Sequence, residues 1–275
     1  MPPAWLPAAA PDWLVPTAKR LFVWLVVAAL VASSAVVGYA GTPYDAEPQR
    51  LDAVREGSEV VVEEHPHGYV LRDADPDGER VGLVFYPGAR VEAAAYLWTL
   101  APLVERTDVR VYVPEMPLHF AVLDPGRAAD VLDGDVPLAS GSAAVDRWYV
   151  GGHSLGGAMA CRFGANNPER VEGVVLAAAY CGPGNSLSDA DLDVLAVWGS
   201  RDGVLDERRV QDRSWAPGDA RFVELDGVNH AQFGAYGDQS GDRDQAVDDR
   251  TARERIVATL TAWFRDRGGE TAGHG

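Results

Sequence analysis

Apolar and polar positions along this chain fall into short continuous runs and helical stripes, in alternation. Val81-Gly-Leu-Val-Phe-Tyr86 is apolar throughout and lies between the polar stretch Asp73 to Glu79 and a Pro87-Gly88 turn, which predicts a strand buried on both faces. Behind it Leu97, Leu100, Ala101 and Val104 recur at helical spacing. Further strands are predicted over Val109 to Val113, Trp148 to Val150, Val171 to Ala179, Val194 to Trp198 and Arg221 to Leu225. Helices are predicted near Gly126 to Leu132, from Ser154 as far as Asn166-Asn167-Pro168, and at the end of the chain, where Ile256, Val257, Leu260, Trp263 and Phe264 share one side. Trp98 and Trp263, on predicted helices, read as core residues. Ahead of all these, Glu59 to Glu64 and Tyr69 to Arg72 flank Pro66 and Gly68 and predict a hairpin. Strands and helices in alternation imply an α/β fold with a mostly parallel sheet covered on both faces. The connection from Cys181 to Asp193 is too short to hold a large cap domain.

The N-terminal part is patterned differently. Residues 1–20 are proline-rich and end in Lys19-Arg20, and Leu21 to Ala40 carries no charge. About 20 uncharged residues can cross a bilayer as a helix, so 21–40 is expected to be a transmembrane anchor, with 1–20 cytoplasmic and the rest outside the cytoplasm. Gly38-Tyr39-Ala40 also resembles a cleavage site, which keeps a secreted, processed protein as the alternative. Residues 41–57, with Pro43 and Pro48, read as a linker, 58–267 as the α/β domain and 268–275 as a polar tail.

Charge narrows the partners. The 275 residues carry 41 acidic and 24 basic side chains, a formal net charge of −17, and Lys19 is the only lysine. Such a surface repels nucleic acid and anionic lipid, and dense carboxylates with arginine in place of lysine suit high salt, where self-repulsion is screened. Cys161 and Cys181 are the only cysteines, too few for a disulfide scaffold or a thiolate zinc site. Two buried thiols are the expected state, with a disulfide as the alternative. No metal or organic cofactor is implied, and the oligomeric state is left open. His65 and His67 have the spacing of a ligand pair but no third ligand nearby, and read as surface residues of the hairpin.

The chemistry gathers at Gly152-His-Ser-Leu-Gly156, placed between a predicted strand and a predicted helix. This G-x-S-x-G turn raises a serine at the sheet edge, and its glycines leave room for crowded backbones. A P-loop would need a lysine after its last glycine, and none is there. A serine hydroxyl needs a base, and the base needs an orienting acid. For this kind of turn the chain order is serine, acid, histidine. That order excludes His65, His67, His119 and His153, and His274 lies in a glycine-rich end, which leaves His230. Asp202, in the Gly199 to Gly203 turn after a strand, is the expected acid, with Asp206 as its rival. The backbone N–H groups of Leu155 and Ala89 are the expected oxyanion-hole donors. Arg90 either holds a substrate carboxylate or pairs with Glu92. Gln232 and Tyr236, with Gln239 and Asp242 on the same loop, are candidates to line the pocket. His153 reads as a packing and hydrogen-bonding residue.

Ser154, Asp202 and His230 with their flanking residues resemble the α/β-hydrolase superfamily, which implies a mostly parallel sheet of about eight strands. More narrowly, Tyr86-Pro-Gly-Ala-Arg-Val91, Gly151-Gly-His-Ser-Leu-Gly-Gly157 and Asn229-His-Ala-Gln-Phe-Gly234 resemble a prokaryotic group of small, often membrane-anchored α/β-hydrolases. Those relatives tend to carry glycine where this chain has Ala89 and lysine where it has Arg90. The resemblance implies a serine hydrolase acting on a small acyl substrate: a carboxylic ester, thioester or lactone. An acyltransferase or perhydrolase with the same triad is the alternative, and a non-catalytic binding protein on the same fold a second one.

Overall fold

The computed structural model describes residues 24, 25, 38, 41–57, 59–74, 81–107, 109–134 and 145–270. The expected anchor at 21–40 lies outside the described residues apart from three positions, and no described helix is long and apolar enough to cross a membrane. The tail at 1–20 also lies outside them.

Eight strands form one sheet in the order β1-β2-β4-β3-β5-β6-β7-β8. Strands β1 (Val60–His65) and β2 (Gly68–Asp73) make the predicted hairpin, and β2 also runs antiparallel to β4 (Val109–Pro114). All other pairings are parallel: β4 with β3 (Val81–Tyr86), then β5 (Arg147–His153), β6 (Gly173–Ala177), β7 (Asp193–Gly199) and β8 (Arg221–Leu225). Register aligns the strand ends, with Tyr86 opposite Gly152 and His153 opposite Ala177. The loops that leave these strands therefore gather at one edge, where a parallel sheet places its ligands.

Each strand feeds both faces with alternate residues. Leu83 and Phe85 join the core that also holds Leu97, Leu100, Leu103 and Val104 of helix α2 (Leu97–Arg106) and Ile256, Leu260, Trp263 and Phe264 of helix α6 (Asp249–Glu270). Val84 and Tyr86 join the opposite core, with Ala128 and Val131 of α3 (Arg127–Leu132) and Ala160 and Phe163 of α4 (Leu155–Asn166). A short helix, α5 (Glu207–Gln211), follows β7 and is capped by Asp206.

Four expectations are corrected. The 41–57 stretch is not only a linker. It contains helix α1 (Pro48–Arg55), which Pro48 starts at a position where a missing N–H costs nothing. It also forms a strap across the domain. Tyr44 pairs with Val91, its N–H donates to the Arg90 carbonyl at 2.6 Å, and Glu47 N–H donates to the Ala235 carbonyl at 2.8 Å. Trp263 is fully buried as expected, but Trp98 is only partly covered and lies against arginine side chains. Cys161 and Cys181 form a disulfide, with Cα atoms 5.4 Å apart. The reason is local: the segment after β6 folds back along α4, so that Ala179 touches the Gly157 position and Cys181 reaches Cys161 one turn further on. Helix α6 also continues through Glu270, so the start of the expected polar tail is helical.

Candidate active site

Ser154 stands between β5 and α4 with φ 53° and ψ −122°, a conformation few non-glycine residues adopt. Its N–H donates to the Ala177 carbonyl at 2.9 Å, which ties the turn to β6. The crowding inferred from the glycine spacing is present. A Cβ on Gly156 would sit 2.2 Å from the Tyr86 carbonyl oxygen and 2.3 Å from that of Pro87, both of them backbone atoms. The same contact brings the loop after β3 against the start of α4.

Two further loops bring an acid and a base to this edge. Asp202 follows β7 and His230 follows β8, and the two are joined by an Oδ2 to Nδ1 hydrogen bond of 2.8 Å. The other carboxylate oxygen of Asp202 accepts the N–H groups of Val204 and Leu205, each at 2.8 Å. Every face of this buried acid is thus satisfied, and the imidazole is held through Nδ1 with Nε2 free. The His230 ring lies 4.5 Å, centroid to centroid, from that of His153, the neighbour of Ser154. Nε2 of His230 makes no hydrogen bond in the structure, so its contact with Ser154 Oγ is not formed here. Long serine–histidine contacts are common before substrate is engaged. Asp206, the rival acid, caps α5 and is turned to Arg208.

His153 is fully buried and binds the Tyr96 hydroxyl through Nδ1 at 2.9 Å. The same hydroxyl oxygen accepts the N–H of Gly88 at 2.8 Å. The hydroxyl can donate its proton to Nδ1 while it accepts Gly88 N–H, an arrangement that goes with the Nε2–H tautomer of His153. Burial holds this imidazole well below its ordinary value, and the adjacent His230 pushes the same way. Burial likewise raises the Tyr96 phenol. Tyr96 therefore couples the residue before Ser154 to the loop after β3, a link with no local signature in the sequence.

That link sorts the candidate oxyanion donors. Gly88 N–H is committed to Tyr96 and Arg90 N–H to the His119 carbonyl, whereas Leu155 and Ala89 N–H donate to no partner among the described residues. The left-handed residue of this loop is Arg90, with φ 62°, and not Ala89, so alanine in place of glycine at 89 carries no backbone strain. The Arg90 guanidinium lies 5.2 Å from the centroid of the Tyr44 ring.

The other pocket candidates are used differently. Gln232 accepts from Asn229 N–H and spends both amide protons on Val247 O and Asp249 Oδ1, so it holds the loop after β8 rather than reaching a substrate. The Tyr236 hydroxyl donates to Gln239, while its ring packs 5.6 Å from Tyr44 and 6.4 Å from His153. Asp242 bridges the two loops that carry the acid and the base: one oxygen accepts Gly203 N–H at 2.9 Å and the other Ala231 N–H at 2.8 Å. His65 lies on the hairpin beside Glu63, 3.6 Å away, and no cluster of metal ligands occurs among the described residues.

A strained serine at a parallel strand-to-helix turn, beside a buried aspartate–histidine pair drawn from the two following loops, defines an α/β-hydrolase architecture. The sequence matches the alpha/beta hydrolase family over residues 82–254, and the chain belongs to that family. No curated protein matches it. Among solved structures it is similar to a predicted CIB-like hydrolase from Thermoplasma acidophilum, with TM-score 0.56 and 16% identity over 74% of this chain and 99% of that one. It is also similar to MGS-MChE2, an alpha/beta hydrolase enzyme from a lagoon-sediment metagenome of Mar Chica, Morocco, with TM-score 0.55 and 14% identity over 76% and 99% of the two chains. A bacterial membrane phospholipase A gives TM-score 0.53 and 14% identity over 88% and 99%. At these identities the likeness is one of fold.

Proposed function

We propose that the protein is a serine hydrolase that cleaves an ester-type bond, in a carboxylic ester, thioester or lactone, through an acyl-enzyme on Ser154. The observation that carries this reading is the Asp202–His230 pair at 2.8 Å, placed through His153 beside a serine held at φ 53°. In the first half-reaction Ser154 Oγ attacks the carbonyl carbon while His230 Nε2 takes its proton. The tetrahedral oxyanion is received by the N–H groups of Leu155 and Ala89, at about 3 kcal/mol per donor. Collapse breaks the bond to the leaving group, which departs with the proton from His230. In the second half, water loses a proton to the same nitrogen, attacks the acyl carbon and frees the acid, with Ser154 recovering its proton. Asp202 holds the ring orientation throughout.

The uncharged stretch 21–40 supports tethering this domain to a membrane with its site outside the cytoplasm, and the net charge of −17 supports operation in high salt. One experiment tests the chemistry. The wild-type protein and Ser154→Ala are labelled with a fluorophosphonate in molar salt and screened against short esters, thioesters and lactones. Labelling and turnover of the wild type alone are expected. A wild type that neither labels nor turns over any of these sinks the proposal, and products transferred to an added alcohol in preference to water would make it an acyltransferase.

A further inference from the structure

Helices α1, α2 and α6 enclose a pocket of about 270 Å³ whose apolar base includes Trp98, Pro102 and Val257. None of these helices carries Ser154, Asp202 or His230. Arg106, Arg250 and Arg253 line the pocket, with Glu254 as its only carboxylate. Arg253 lies 4.3 Å from the centroid of the Trp98 ring, and Arg50 lies 4.4 Å from it. Arg50 is neutralised by Glu47 and Asp249. Arg106, Arg250 and Arg253 form no ion pair among the described residues, and Arg253 Nε is buried without a hydrogen-bond partner. In a chain with 41 acidic residues against 24 basic ones, three unpaired guanidiniums around one pocket run against the character of the whole surface.

Burial lowers the Arg253 guanidinium to about 10, with Arg106, Arg250 and Arg50 acting in the same direction and Glu105 opposing them. The arrangement thus holds positive charge at a cost that a bound anion relieves. Guanidiniums match tetrahedral oxyanions because their N–H donors are fixed in a planar fork, and several of them can divide the oxygens of one phosphate. The ring of Trp98 limits where the Arg253 fork can go, which reduces the ordering needed on binding.

We propose that this pocket is a binding site for a phosphate group, separate from the hydrolytic site. The group has two possible sources, a small phosphomonoester or the headgroup of a phospholipid, and the chemistry of capture is the same for both.

Calorimetric titration of the full chain, at constant ionic strength set with chloride, tests it. The probes are inorganic phosphate, glycerol 3-phosphate and dihexanoyl-phosphatidylglycerol below its micellar concentration. Saturable one-to-one binding of at least one probe is expected, weakened about tenfold or more by Arg106→Gln and by Arg253→Gln. Arg106 is exposed, so its variant keeps the fold even if Arg253→Gln, which loses its packing on Trp98, does not. Tighter binding of the monoester assigns a small metabolite, and tighter binding of the diester assigns a lipid headgroup. Absence of saturable binding to all three probes, or binding that Arg106→Gln leaves unchanged, overturns the site. Either result is independent of ester hydrolysis, which Arg106→Gln should leave intact.

Discussion

Replacing Tyr96 by phenylalanine removes one oxygen and leaves the ring in its place. Tyr96 is fully buried, and its hydroxyl meets both the Gly88 N–H at 2.8 Å and His153 Nδ1 at 2.9 Å. The variant leaves the Gly88 N–H and the His153 ring nitrogen buried without their partner, each costing about 1–3 kcal/mol. Partial relaxation of the 87–90 loop relieves some of this, so the combined loss is expected at about 3 kcal/mol. For a domain of this size that lowers the melting temperature by about 6–12 °C. Thermal unfolding followed by far-UV circular dichroism, in the salt that best supports activity, measures it. Under the proposed function kcat should also fall, by about tenfold, with KM little changed, because the loosened loop carries an oxyanion donor needed mainly in the transition state. A melting temperature within about 2 °C of the wild type would refute the reasoning, since it would mean that the two groups find other partners or were never dry.

Three other outcomes follow from the geometry. Asp202→Asn should stay folded and lose about 10⁴-fold in kcat, because an amide can no longer fix the His230 tautomer; ester kinetics that drop less than about tenfold would make Asp202 a structural residue only. The disulfide closes a loop of sequence separation 20, so a Cys161→Ala/Cys181→Ala double variant should lose about 3 kcal/mol in denaturant unfolding. Reductant should then destabilise the wild type and leave the double variant unaffected. His153 is held neutral when folded, so below its ordinary value of 6.5 the unfolded chain takes up a proton that the folded one refuses. Stability is therefore fully present above that pH and falls on acidification, by up to about 1.4 kcal/mol per pH unit, and His153→Asn should flatten this slope in urea titrations at pH 5 and pH 7.5.

What could be read from sequence was what is local or ordered along the chain. The bounds of β3 match its apolar run, since a buried strand declares itself by continuous hydrophobicity. The G-x-S-x-G spacing marks Ser154, the turn after a strand marks Asp202 and chain order leaves His230, and the sheet brings Asp202 and His230 into hydrogen-bonding contact. The missing parts are long-range. Tyr96 acts on a histidine 57 residues away, and Asp242 joins loops that leave different strands. Pro48 reads as a linker residue because a proline at the first turn of a helix has the same local appearance as one in a linker. The Cys161–Cys181 bond depended on how the segment after β6 lies along α4, which spacing alone does not determine. Gln232 had the right neighbourhood but the wrong direction, its amide being turned to the backbone.

The strap formed by Tyr44 to Glu47 has a practical meaning for where this enzyme begins. It joins Arg90, on one loop beside Ser154, to Ala235, on the loop that carries His230, and Tyr44 O also receives the N–H of Glu92 at 3.1 Å. The functional boundary therefore lies at Pro43 and not at the first strand. A chain trimmed to start there keeps its frame, whereas one trimmed to start at β1 keeps the entire sheet and all three proposed catalytic side chains yet loses the tie between the loops that aim them.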